Sequence, residues 1–104
     1  MISDSAFFQP TKIGNNQLEH RVVLAPLTRL RSDENHVPTD LQAEYYVQRT
    51  TKGGLLIAEA TFINTRNAGA YPGAPVIYNQ EQIDAWKKIT LAVHKKGCII
   101  FLQL

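Results

Sequence analysis

The sequence predicts an α/β fold in which an N-terminal hairpin is followed by β-α-β-α-β units. Two observations predict it. Three short, mostly apolar runs, at 21–25, 55–58 and 99–104, alternate with two segments of helical character. Near-continuous apolar strands are the mark of a parallel sheet covered by helices, because both faces are then buried. The helical segments also carry start and stop signals in the right places, so each can serve as a crossover between parallel strands. Such crossovers are right-handed.

Residues 12–23 read as a hairpin turning at Gly14-Asn15-Asn16, residue types that tolerate positive φ. Residues 21–25 then form a short strand stopped by Pro26. The polar segment 27–38 has no clear period and reads as a loop. Thr39 opens a helix, with Gln42 at capping-box spacing. Leu41 and Tyr45 share a face of it, and Gly53-Gly54 ends the segment. Leu55-Leu56-Ile57-Ala58 is the second strand, running on to Glu59 and Ala60.

Segment 61–78 holds Asn67, Gly69, Pro72, Gly73 and Pro75, which is loop chemistry over 18 residues. Connections of that length are often functional. Asn79 with Gln82 offers a second cap, and Ile83, Trp86, Ile89 and Val93 follow a helical stripe. Lys95, Lys96 and Gly97 close that helix with cations and a glycine. The last run, Ile99-Ile100-Phe101-Leu102-Gln103-Leu104, reads as a buried strand with one polar residue near its end. An apolar strand left unpaired is an aggregation hazard, so the chain is expected to be the front part of a longer enzyme. Two architectures fit, an open doubly wound sheet and the start of a (β/α)8 barrel. The first is weakened because no Gly-rich phosphate turn follows any strand. A barrel needs about 250 residues, of which this chain would supply under half.

Composition narrows the function classes. Hydrophobic residues make up 44% of the 104, which excludes a disordered chain. A formal charge of +2 with acids and bases interspersed gives no footprint for nucleic acid and no polybasic patch for a membrane. No apolar stretch is long enough to span a bilayer. The stretch Met1-Ile2-Ser3-Asp4-Ser5 has no signal-peptide pattern, and a single cysteine, Cys98, permits no internal disulfide. The expected location is therefore cytoplasmic. Cys98, at the head of an apolar strand, reads as a small buried hydrophobe.

In both architectures ligands bind at the C-terminal ends of the strands. Pro26, Leu27 and Thr28 follow the first strand, Glu59, Ala60 and Thr61 end the second, and Gln103 ends the third. A hydroxyl, a backbone N–H beside a small side chain and a carboxamide can together hydrogen-bond a planar heteroaromatic ring carrying carbonyls and N–H groups. None is a strong acid, base or nucleophile, so the set suits cofactor binding and no catalytic residue is assigned. Glu59 is costly to bury alone and is expected to meet an arginine or backbone N–H groups. His20, His36 and His94 lack metal-ligand spacing, so no metal site is expected. Arg29 and Arg31 read as parts of a solvated loop.

The stretch Arg21-Val22-Val23-Leu24-Ala25-Pro26-Leu27-Thr28-Arg29 resembles the first-strand signature of the Old Yellow Enzyme family, flavin-dependent ene-reductases built on a (β/α)8 barrel. The resemblance continues through Tyr45-Tyr46-Val47-Gln48-Arg49 and Gly54-Leu55-Leu56-Ile57-Ala58-Glu59-Ala60-Thr61. It extends through Tyr71-Pro72-Gly73-Ala74-Pro75, Glu81-Gln82-Ile83-Asp84-Ala85-Trp86-Lys87, Val93-His94 and Phe101-Leu102-Gln103-Leu104, in order along nearly the whole chain. It implies that residues 1–104 are the N-terminal part of a single TIM-barrel flavin oxidoreductase domain. Pro26, Leu27 and Thr28 match the stretch that packs on FMN, with the threonine hydroxyl near a ring carbonyl. Ala60 matches the small residue whose N–H faces the ring, and Gln103 the glutamine at the pyrimidine edge. Tyr71 matches a substrate-binding tyrosine. Pro75-Val76 stands where the family commonly has Pro-Gly.

The implied function is that of an FMN-dependent oxidoreductase taking electrons from NAD(P)H and reducing a small activated alkene. The family's His/Asn or His/His substrate anchor, its tyrosine proton donor and its phosphate-binding residues would follow Leu104. The 104-residue chain alone is therefore expected to be inactive. The competing reading is a non-catalytic truncated remnant, unstable or dependent on a partner.

Overall fold

The apolar runs become strands of one parallel sheet in the computed structural model, which describes residues 4–104. Met1, Ile2 and Ser3, part of the stretch read for a signal peptide, lie outside the described residues. After a single 3-10 turn over Ala6–Phe8, β1 (Thr11–Ile13) and β2 (Asn16–Leu18) pair antiparallel, with Ile13 opposite Asn16. Gly14 takes the positive φ that the two-residue turn demands. The hairpin stops at Leu18 and does not continue to Val23. Its backbone donors find other partners there: Glu19 N–H bonds the Gly53 carbonyl at 2.9 Å and Arg21 N–H the Phe7 carbonyl at 2.8 Å. The strand expected over 21–25 is correspondingly short, β3 (Val23–Leu24).

Helix α1 covers Asp40–Gln48. Its first turn is held by the Thr39 N–H, which donates to Gln42 Oε1 at 2.8 Å, while the Thr39 hydroxyl donates to the Arg31 carbonyl at 2.8 Å. Its buried face carries Gln42 and Tyr46, while Leu41, which shares a face with Tyr45, is 56% exposed. The hydrogen-bonding groups of Gln42 and Tyr46 have buried partners, which Leu41 could not serve. β4 (Leu55–Ala58) pairs in parallel with β3 on one side and with β5 (Ile99–Leu102) on the other. Between β4 and β5 lie the short helix α2 (Thr65–Ala68) and the long helix α3 (Gln80–Lys95). Asn79 and Gln82 cap α3 reciprocally: Gln82 N–H donates to Asn79 Oδ1 at 2.9 Å and Asn79 N–H to Gln82 Oε1 at 3.1 Å. Trp86, Ile89 and Val93 are buried as predicted. Ile83 is not; Gln82 takes the buried place beside it and donates to the Asn35 carbonyl at 3.1 Å.

The core lies between the sheet and the two longer helices. Tyr46 of α1, Trp86, Ile89 and Val93 of α3, and Leu56 and Ala58 of β4 form it, with Cys98 at the foot of β5. The sheet order is β3-β4-β5, so among the described residues both outer strands have one neighbour each. Val22, Val23 and Phe101 are exposed, and an apolar cavity of about 590 Å³ lies along β3, lined by Phe8, Val22, Val23 and Leu24 among others. The chain presents 6760 Å² of surface, against about 5,900 Å² for a compact monomer of its mass. Open apolar edges pair with other chains. In isolation, at micromolar concentration, the chain is expected to elute from gel filtration as oligomers or aggregates. A monodisperse monomer with strongly protected amides in 55–60 and 99–104 would contradict this.

Candidate functional site

Parallel strands present their C-terminal ends together. Leu24 pairs with Leu56, and Leu56 with Ile100. Thr28 and Ala60 therefore each lie four residues beyond paired positions, and Gln103 lies three beyond its own. The strand-end segments are stitched to one another. Thr61 N–H donates to the Gln103 carbonyl at 2.8 Å, and Arg29, after Thr28, favours the charged form of the Glu59 carboxyl through its main chain and its charge. Thr28, Ala60 and Gln103 are exposed, and the Thr28 hydroxyl and the Gln103 carboxamide have no partner among the described residues. Pro26 is half-buried, and Leu27 offers an exposed apolar side chain. A hydroxyl, an N–H and a carboxamide at one end of the sheet, beside a proline and a leucine, fit the edge and face of a planar ring with alternating carbonyl and N–H groups.

Tyr71 sits on the loop between α2 and α3. It is 55% exposed, with its ring stacked on Phe62 at 5.5 Å between centroids. That loop is clamped to the loop following β3. Ser32 N–H donates to the Gly73 carbonyl at 2.9 Å, Val76 N–H to the His36 carbonyl at 3.1 Å, and His36 Nδ1 lies 2.7 Å from the Ala74 carbonyl. Gly73 has φ +83°, and a Cβ there would collide with the Leu30 carbonyl. Leu30 and His36 themselves hold positive φ, an uncommon state for non-glycine residues that the clamp sustains. Val76 needs no positive φ. It is fully buried and bridges Phe62 in parallel.

Glu59 is fully buried. Its partners correct the expectation in part: Arg29 favours its charged form, but its hydrogen bonds come from two side chains of α1. Tyr46 Oη donates to Glu59 Oε2 at 2.7 Å and accepts the Glu59 N–H at 2.9 Å, while Gln42 Nε2 donates to Glu59 Oε1 at 3.2 Å. Burial pushes the Glu59 carboxyl above the usual glutamate range, opposed by these bonds and by Arg29. Burial also pushes the Tyr46 phenol up, so it stays a proton donor. Sequence reasoning missed this unit because Gln42 was accounted for as a cap. The signal was the pair Gln42 and Tyr46 at i, i+4 facing a strand that ends in a carboxylate.

The remaining candidates have local partners. Arg49 and Arg29 stack on the Tyr45 ring, their guanidinium carbons 3.9 and 5.2 Å from its centroid. Arg31 donates to the carbonyls of Arg29 and Leu30. His20 contacts Thr51 Oγ1 at 2.8 Å. No cluster of three or more potential metal ligands occurs among the described residues. Cys98 is buried, and burial raises its thiol pKa, as suits a packing residue.

The model of the NADH:flavin oxidoreductase / NADH oxidase family matches residues 6–104. The chain belongs to this family. It is 54% identical over 101 residues to the NADP-dependent oxidoreductase lnbE of Aspergillus flavus, covering 96% of this chain and 26% of that protein. It is 59% identical over 95 residues to 12-oxophytodienoate reductase 1 of Oryza sativa subsp. japonica, covering 91% of this chain and 24% of that protein. Among solved structures, the Old Yellow Enzyme from Pichia sp. AKU4542 superposes with a TM-score of 0.92 at 45% identity, over all of this chain and 27% of that one. The chain thus spans about a quarter of the length of the curated relatives it matches. Membership of the Old Yellow Enzyme family makes FMN the family cofactor and NAD(P)H its reductant. No helix among the described residues is long and apolar enough to cross a membrane.

Proposed function

We propose that this chain forms part of the flavin bed of an FMN-dependent NAD(P)H oxidoreductase that reduces activated alkenes. One observation carries the reading: three outward hydrogen-bonding groups, on Thr28, Ala60 and Gln103, at the same end of three adjacent parallel strands. Pro26 and Leu27 would pack on the ring, and Tyr71 would form part of the substrate wall. The chemistry supplied by the cofactor is hydride transfer from NAD(P)H to the β-carbon of the alkene. The chain's own groups bind and orient. The Thr28 hydroxyl would donate to a ring carbonyl, the Ala60 N–H would donate beside it, and the Gln103 carboxamide can both donate and accept at the pyrimidine edge.

The test uses a chimera in which this chain replaces the matched segment of the Pichia Old Yellow Enzyme. A ring carbonyl gains electron density on reduction, so its hydrogen bond strengthens in the reduced state. Thr28→Ala is expected to lower the FMN midpoint potential by about 30 mV, equivalent to ~1.4 kcal/mol for a two-electron couple. Reduction by NADPH should slow with it. An unchanged potential would leave Thr28 as a turn residue with no part in the bed.

A further inference from the structure

We propose that Glu59 is a positioning residue that holds Thr28 and Ala60 in mutual register, with Tyr46 and Gln42 as its supports. The proposal rests on the flavin-bed reading and extends it to a side chain buried behind the bed.

A buried carboxyl is expensive, and an apolar side chain of similar volume is often neutral or stabilising in its place. What an apolar residue cannot do is accept two hydrogen bonds from α1 while its charge is favoured by the segment that follows β3, as this carboxyl does. One bond comes from Gln42 Nε2 and one from Tyr46 Oη, both on α1, and the Arg29 main chain and charge favour the ionised form of the same carboxyl. Arg29 is the residue after Thr28. On the other side, Tyr46 Oη also accepts the Glu59 N–H, so one phenol grips residue 59 by both backbone and side chain. Ala60 is the next residue.

The supports are themselves fixed. Gln42 Oε1 accepts the Thr39 N–H at 2.8 Å and the Ser32 hydroxyl at 3.0 Å, which ties the residue that holds the carboxyl to the middle and the end of the loop between β3 and α1. Thr61 Oγ1 donates to the Glu59 carbonyl at 2.9 Å, and Thr61 N–H reaches Gln103. Neighbours of Thr28, Ala60 and Gln103 therefore share one network with Glu59 at its centre. An ionised carboxylate is an acceptor throughout; glutamine keeps its shape but turns one acceptor into a donor. Rotation of the Tyr46 hydroxyl can accommodate that change, so Glu59→Gln is the conservative variant.

The experiment uses the FMN-loaded chimera described above and reads FMN affinity, the flavin absorption bands and the midpoint potential. Glu59→Ala is expected to weaken FMN binding roughly tenfold or more, because small displacements of positioned groups are costly. It should also shift the absorption bands and the potential, and Glu59→Gln should restore most of each. Combined with Thr28→Ala, its effect on the potential should be less than additive, since Thr28 would already be displaced. Unchanged spectrum, potential and affinity alongside a lower melting temperature, or strict additivity with Thr28→Ala, would overturn the proposal and leave Glu59 a structural residue. If Glu59→Ala does not fold, Glu59→Gln and Tyr46→Phe decide: a shifted potential in Tyr46→Phe with a smaller shift in Glu59→Gln supports it, and no shift in either overturns it. A chimera holding no FMN, or one whose potential ignores Thr28→Ala, overturns the flavin-bed reading and this proposal together. FMN retention with a Thr28 effect but no Glu59 effect overturns this proposal alone.

Discussion

NADPH oxidation by the isolated 104-residue chain, given FMN and an activated enone under nitrogen, is expected to run no faster than with free FMN. The strand ends offer Thr28, Ala60 and Gln103, which can hold a ring but cannot donate a proton forcefully or anchor a substrate oxyanion. The described residues also include no identified phosphate cradle, and phosphate groups need several converging donors. Correct positioning of reactants accounts for factors of about 10⁵ or more, and a placed acid for a further 10² to 10⁴ or so. Losing both removes essentially all of the acceleration. A steady rate well above the free-flavin control would refute the assignment of roles.

Tyr46→Phe should produce the largest loss of stability of any single-atom deletion in the segment. The hydroxyl serves the Glu59 carboxyl and the Glu59 N–H at once, in a fully buried place. Removing it strands an acceptor and a donor, each costing about 1–3 kcal/mol. The expected destabilisation of the chimera is therefore about 2–6 kcal/mol by denaturant midpoint. Tyr45→Phe is the control. Its ring carries the stacked guanidiniums of Arg29 and Arg49 and would keep them, so its effect should stay within about 0.5 kcal/mol. Equal effects at the two positions would show that the Tyr46 hydroxyl is not what holds Glu59.

The strands and long helices were legible because their signals are local. Leu55–Ala58 and the 80–95 helix declare themselves by apolar runs, capping residues and a terminal glycine. The strand-end candidates followed from topology, since parallel strands bring their C-terminal ends together wherever they occur. Long-range bonds were illegible. Nothing near Glu19 or Arg21 announces that their N–H groups leave the hairpin for Gly53 and Phe7. The positive φ of Leu30 and His36 is imposed by Gly73 and Ala74, some forty residues away, and no propensity predicts it. Buried polar residues were the systematic blind spot. Gln42 and Gln82 sit at helix starts, where a cap explains them, yet each is buried and holds a second, distant partner, the Glu59 carboxyl and the Asn35 carbonyl. A hydrophobic pattern assigns such positions to the surface and hands the buried face to Leu41 or Ile83.

Flavin retention tests the central claim most directly. The chimera with this chain in place of the matched Pichia segment is purified by gel filtration, and its bound FMN is read from the absorbance spectrum. The expected result is about one FMN per protein, lost in large part when Thr28→Ala and Gln103→Ala are combined, while the isolated chain elutes without stoichiometric FMN. A chimera that folds with native circular dichroism but elutes colourless, or a double variant that keeps its flavin and its spectrum, would contradict the account.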